Sequence, residues 1–140
     1  FVGFEKPVST GLSLFGFSGL DNLDAPSDWV EKDRIEVYDD KVVILLDDAS
    51  LSNYAATGSM RPVLDMFSNG IRIQPSSEAE INIGDIVSFE KGIDLVVHRV
   101  VDKGLDEQGV YFVTKGDNNN VTDGKIRFKD IQYVTIGVIW

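Results

Sequence analysis

The sequence predicts an all-β domain, a mainly antiparallel β barrel or sandwich with few short helical turns. Three observations carry this. Short runs rich in β-branched and aromatic residues recur along residues 34–140, each bounded by Gly, Asn, Asp, Ser or Pro. Two of these runs are separated by a two-residue acidic turn, which is a hairpin signature. No segment keeps a helical apolar period over three turns, and strands that follow strands without helices between them argue for a sandwich or barrel.

In chain order, residues 1–30 read as an N-terminal arm. Phe1-Val2-Gly3-Phe4 and Leu12-Ser13-Leu14-Phe15-Gly16-Phe17 are apolar, glycine-punctuated and loosely alternating, and residues 21–28 with Pro26 read as a loop. Residues 31–140 read as a single β domain. Arg34-Ile35-Glu36-Val37-Tyr38 alternates polar and apolar, Asp39-Asp40 supplies the turn, and Lys41-Val42-Val43-Ile44-Leu45-Leu46 follows as a buried run. Further strands are expected at 70–74, 85–89, 95–101, 110–115 and 131–140. Helical turns are expected at 27–32 and 60–67, the second broken near its start by Pro62.

A chain of 140 residues suffices for one domain with its own core and is short for two. The formal net charge of −10 repels phosphate backbones, so nucleic acid is not an expected partner. Without cysteine there is no disulfide, thiolate metal site or cysteine nucleophile. With one histidine, a transition-metal centre would rest almost wholly on carboxylates, so neither metal nor cofactor is expected. No run approaches the roughly 18 to 20 apolar residues that span a bilayer. Phe1 in place of an initiating Met points to a removed leader or a trimmed chain, and the apolar opening to the stub of a membrane anchor or to a segment that docks on a partner.

Three stretches carry residues with chemical potential. In Thr57-Gly58-Ser59-Met60-Arg61-Pro62, the glycine lets the backbone turn sharply before a hydroxyl that needs a base to become a nucleophile. In Leu95-Val96-Val97-His98-Arg99-Val100-Val101, strand alternation puts Val96, His98 and Val100 on one face, with His98 the chain's only side chain of near-neutral intrinsic pKa. In Thr114-Lys115-Gly116-Asp117-Asn118-Asn119-Asn120-Val121-Thr122-Asp123-Gly124, two aspartates bracket a Gly/Asn loop, and a short carboxylate held rigidly is what orients a catalytic imidazole. Each stretch alone has a plainer reading: a turn serine, a histidine satisfied on a strand face, a tight loop.

In combination they resemble signal peptidase I of the archaeal and endoplasmic-reticulum type. That family carries a Gly-Ser-Met-x-Pro box, here Gly58-Ser59-Met60-Arg61-Pro62, then a Gly-Asp/Glu-Ile-Val-x-Phe strand, here Gly84-Asp85-Ile86-Val87-Ser88-Phe89. A Val-His-Arg-Val strand follows, here Val97-His98-Arg99-Val100, and a Thr-Lys-Gly-Asp-Asn-Asn box ends in an aspartate, here 114–119 and Asp123. The four boxes stand in the family's order over residues 55–123, about half the chain. The resemblance implies Ser59 as nucleophile, His98 as general base (a lysine in the bacterial branch) and Asp123 as its acidic partner. It places Thr57 and the Ser59 N–H at the oxyanion, Gly58 at the turn, and Lys115 and Asp117 in a supporting role. An extended peptide or precursor protein would lie against Ala55-Ala56-Thr57. The implied activity is a serine endopeptidase that cleaves secretory precursors through an acyl-enzyme, at the extracytoplasmic face of a membrane or outside the cell, with membrane contact through a missing N-terminal anchor.

The sequence departs from the family in three ways. Met66-Phe67-Ser68-Asn69-Gly70 stands where relatives often have a Gly-Asp pair, Thr122 precedes Asp123 where a second aspartate is frequent, and the family's membrane anchor is not within these 140 residues. Asn120-Val121-Thr122 also forms a glycosylation sequon. The alternative reading is a secreted structural or filament subunit that keeps the peptidase fold and self-assembles through residues 1–20. A self-cleaving repressor-like regulator fits poorly, since that chemistry uses a Ser–Lys pair and accompanies a basic DNA-binding module.

Overall fold

Period-two alternation is realised as nine strands among the described residues, all paired antiparallel. The computed structural model describes residues 23–140; both apolar stretches of the expected arm, and the assembly role assigned to residues 1–20, lie outside the described residues. The fold is all-β, with two single 3-10 turns, Lys32–Arg34 and Phe128–Asp130, as its helical elements among the described residues.

The expected hairpin forms from β1 (Ile35–Val37) and β2 (Val42–Ile44), in the register Ile35↔Ile44 and Val37↔Val42. Asp39-Asp40 is its two-residue turn, closed by the Tyr38 N–H donating to the Lys41 carbonyl at 2.9 Å. The run at 41–46 is not buried as expected: Val42 is 59% and Leu45 47% exposed. The two strands pair only with one another, so one flank of the run has no sheet against it.

The other strands are β3 (Ser50–Ser52), β4 (Asn69–Ile73), β5 (Ile86–Lys91), β6 (Asp94–Asp106), β7 (Gly109–Lys115), β8 (Lys125–Ile126) and β9 (Ile131–Ile139). They form one seven-stranded sheet in the order β3-β4-β9-β5-β6-β7-β8. β9, the last strand in sequence, thus lies between β4 and β5 and joins two halves of the sheet. β6 runs well beyond the expected 95–101, because Asp102, Lys103 and Asp106 continue it as a polar ribbon paired with β7. A register shift between Val100 and Asp102 leaves Val101 unpaired, the pattern of a bulge that bends the strand. The helical turns expected at 27–32 and 60–67 do not form helices. Residues 60–67 fold into tight turns in which the Val63 and Leu64 N–H groups both donate to the Met60 carbonyl, at 3.0 and 2.9 Å.

Strand alternation builds a core on both faces of β5. Val87 and Phe89 enter a cluster with Ile81, Val100, Phe112 and Val134, while Ile86 packs on the opposite face with Met60 and Leu64. The second cluster fixes the site, because Met60 and Leu64 belong to the loop that carries Ser59.

At the far end of the β6–β7 hairpin, Arg127 grips Asp106 with both amino groups, at 2.9 and 2.7 Å, and Lys125 adds a contact at 3.0 Å. Hydrogen bonding from Arg127, then from Lys125, holds the Asp106 carboxyl far below the usual carboxylate range. A carboxyl depressed in the folded state contributes stability that is complete above its unfolded pKa of about 4 and is lost as pH falls toward the folded value. Asp106→Asn is therefore expected to shrink the fall in Tm between pH 5 and pH 2. Parallel Tm-against-pH curves for the variant and the parent would contradict this.

Candidate active site

The site assembles where the turn after β3 meets the ends of β6 and β7. Gly58 adopts φ +72, a left-handed conformation that suits glycine, and so turns Ser59 back toward the sheet. The loop is fixed from the other side by Asn118, whose backbone N–H donates to the Ser59 carbonyl at 2.8 Å and whose side-chain amide donates to the Gly58 carbonyl at 3.0 Å. This close approach requires Gly116: a Cβ there would lie 2.7 Å from the Ser59 carbonyl oxygen and 2.6 Å from the Asn119 amide nitrogen.

His98 projects from β6, 7% exposed, with its ring centroid 6.3 Å from that of Phe89. Its Nδ1 lies 2.6 Å from Asp123 Oδ2 and its Nε2 lies 3.2 Å from Ser59 Oγ. With Asp123 ionised, Nδ1 carries the proton and donates, which leaves Nε2 free to accept from the serine hydroxyl. Asp123 is itself held. The Thr114 hydroxyl donates to its Oδ2 at 2.9 Å, its own N–H donates to the Thr114 carbonyl at 2.8 Å, and Lys91 Nζ stands 3.5 Å from Oδ1. The hydroxyl, the imidazole and the carboxylate, drawn from three separate stretches of chain, thus form one continuous line of hydrogen bonds.

The remaining expected residues fall into place around that line. The Thr57 hydroxyl lies 3.1 Å from Ser59 Oγ and accepts the Ser59 N–H at 3.3 Å. Asp117 does not touch Ser59: it is buried in a two-pronged pair with Arg99, both bonds 2.8 Å, and its N–H points at Met60 Sδ. Arg99 also donates to the carbonyls of Asp24 and Gly84, each at 2.9 Å. Lys115 turns its ammonium onto the carbonyls of Asn119 (2.7 Å) and Gly116 (3.3 Å), so it braces the loop. Ala55 lines the cleft beside Ser59, whereas Ala56 is not among its lining residues.

The cleft encloses about 580 Å³. One wall is the segment from Ser52 to Ser59; the other is Asp94 to His98 of β6. β7 ends at Lys115, opposite Arg99, so the first residues of β6 have a partner only on the β5 side. In an antiparallel ladder closed by the two-residue turn between Lys91 and Asp94, alternate residues point their polar groups outward, here Leu95 and Val97. The sequence reading missed this open edge, which depends on where a neighbouring strand stops. It also gave no role to Thr114, although its place two residues beyond buried Phe112 puts it on the same strand face and was legible.

No protein-family model, no curated protein and no solved structure matches the chain.

Proposed function

We propose that this chain is a serine endopeptidase resembling the archaeal and endoplasmic-reticulum signal peptidases, which cleaves precursor proteins through an acyl-enzyme. The observation that carries the reading is the aligned contact from Ser59 Oγ to His98 Nε2 and from His98 Nδ1 to Asp123. As Oγ bonds to the scissile carbonyl carbon, its proton passes to Nε2 and the carbonyl π pair moves onto oxygen. Asp123, oriented by Thr114, stabilises the resulting imidazolium. His98 then returns the proton to the departing amine, the acyl ester remains on Ser59, and water attacks it with the same base.

The developing oxyanion has two donors at hand, the Ser59 N–H and the Thr57 O–H. In the free protein the Ser59 N–H donates to the Thr57 oxygen and the Thr57 O–H to Ser59 Oγ, and a substrate oxygen would take over both donors. An extended peptide fits between the outward-facing polar groups of Leu95 and Val97 and the segment through Ala55, adding a strand to the open edge of β6. The resemblance carries with it an extracytoplasmic position and contact with the membrane through an anchor.

The test is covalent. Incubation of the full chain with a fluorophosphonate is expected to add one phosphonyl group at Ser59, read by intact mass and peptide mapping, and Ser59→Ala is expected to stay unmodified. A chain that remains unlabelled at pH 8 over hours, or that is labelled equally in Ser59→Ala, would overturn the proposal.

A further inference from the structure

The cleft holds a cation that the acyl-transfer chemistry does not use. Arg72, half-buried on β4, lines the wall remote from His98 and stacks its guanidinium 3.8 Å from the centre of the Tyr133 ring. Its Nε donates to Ser50 Oγ at 3.0 Å and its Nη1 to Ser52 Oγ at 3.4 Å, which leaves three of five N–H groups without an acceptor among the described residues. No carboxylate pairs with Arg72 among the described residues, unlike Arg61, Arg99 and Arg127, each of which holds an aspartate. The two carboxylates on the cleft wall do not supply the want: Asp65 is bound to Arg61, and Asp94 is not within ion-pair range of Arg72.

A second feature points to the same place. The Tyr54 hydroxyl is buried, has no hydrogen-bond partner among the described residues and lies against Gly70. Gly70 and Arg72 are two residues apart and pair with Ser52 and Ser50, so they share the strand face that the guanidinium covers. Thr135, opposite Arg72 on β9, carries another buried hydroxyl without a partner among the described residues. Buried donors without acceptors are rare, and a planar guanidinium pre-set by stacking and two hydroxyls is the usual cradle for a carboxylate.

We propose that Arg72 and Tyr54 form a subsite for an acidic side chain of the bound peptide. This rests on the peptidase reading and names its substrate class: a precursor with Asp or Glu several residues from the scissile bond, where the peptide passes the end of β3. The formal net charge of −10 disfavours such a residue elsewhere, so the preference is expected at one position.

The experiment uses the full chain and internally quenched decapeptides on an alanine framework, with Glu or Gln moved one position at a time. At one position not adjacent to the cut, Glu is expected to raise kcat/KM about tenfold over Gln, chiefly through KM. Arg72→Met is expected to bring that ratio to about one while still cutting the Gln peptide, Arg72→Lys to restore part of it, and Tyr54→Phe to lower it a few-fold. Should Arg72→Met fail to fold, Tyr54→Phe decides, because it loses one hydroxyl only. A parent enzyme with no Glu-preferring position, or variants that keep the preference, would overturn the subsite while leaving the peptidase intact. If no peptide is cut at all, the peptidase reading falls; fluorescence anisotropy of the same peptides, labelled with fluorescein, then decides the subsite alone. An Arg72-dependent preference for Glu upholds it, and equal binding ends it.

Discussion

His98→Ala is expected to lower kcat on a leader-bearing peptide about 10⁴-fold or more while leaving the fold unchanged. Among the described residues the imidazole is the only basic group within hydrogen-bond reach of Ser59 Oγ, since the other neighbour is the Thr57 hydroxyl. Asp123→Asn is expected to cost nearly as much for a different reason. An amide at that position turns an N–H toward His98 Nδ1, which moves the ring proton to Nε2 and leaves no lone pair facing Ser59. The Thr114 hydroxyl donates to the carboxylate and the Asp123 N–H donates to the Thr114 carbonyl, and both bonds help keep the residue in place, so the loss should appear in kcat with KM largely kept. Single-turnover kinetics on both variants, with circular dichroism to verify folding, tests the pair. Activity within tenfold of the parent in either variant would be incompatible with the proposed acyl transfer.

Asp117→Ala is expected to destabilise the domain by about 3–5 kcal/mol, the effect of leaving a buried guanidinium without its counter-ion. Arg99 and Asp117 are both buried, and the pair joins β6 to the loop that meets the Ser59 turn. Replacing both partners, Arg99→Met with Asp117→Leu, is expected to recover much of the loss, because no charge is then left in the interior. Recovery stays incomplete, since Arg99 also satisfies the carbonyls of Asp24 and Gly84. Urea unfolding followed by tryptophan fluorescence gives the comparison. A change below about 1 kcal/mol for Asp117→Ala would mean that water reaches the pair and that its burial has little energetic weight.

Much of this arrangement was legible in the residues, for identifiable reasons. The cores of β4 to β7 and β9 announce themselves by β-branched alternation, and the β1–β2 turn by its acidic dipeptide. β3 and β8, three and two residues long, are too short to show any period. The run at 41–46 looked buried because composition reports apolarity, whereas burial depends on whether a second layer is supplied. In the 60–67 segment, Met60 and Leu64 have helical spacing, yet they meet Ile86 from a chain of turns, since packing on the sheet outweighs local preference. The hydroxyl, imidazole and carboxylate were found through their boxes. Arg72 was not, because nothing in Gly-Ile-Arg-Ile marks a cation whose acid is lacking; that is a property of its surroundings.

The central place of β9 has a consequence for biosynthesis. Residues 131–139 are the mortar between the piece that holds the serine turn and the piece that holds the imidazole. A nascent chain still keeping them inside the ribosome tunnel has already made Ser59, His98 and Asp123, yet its two half-sheets have no common strand to align them. The hydroxyl and the imidazole are therefore expected to come together only once residues 131–139 have cleared the tunnel.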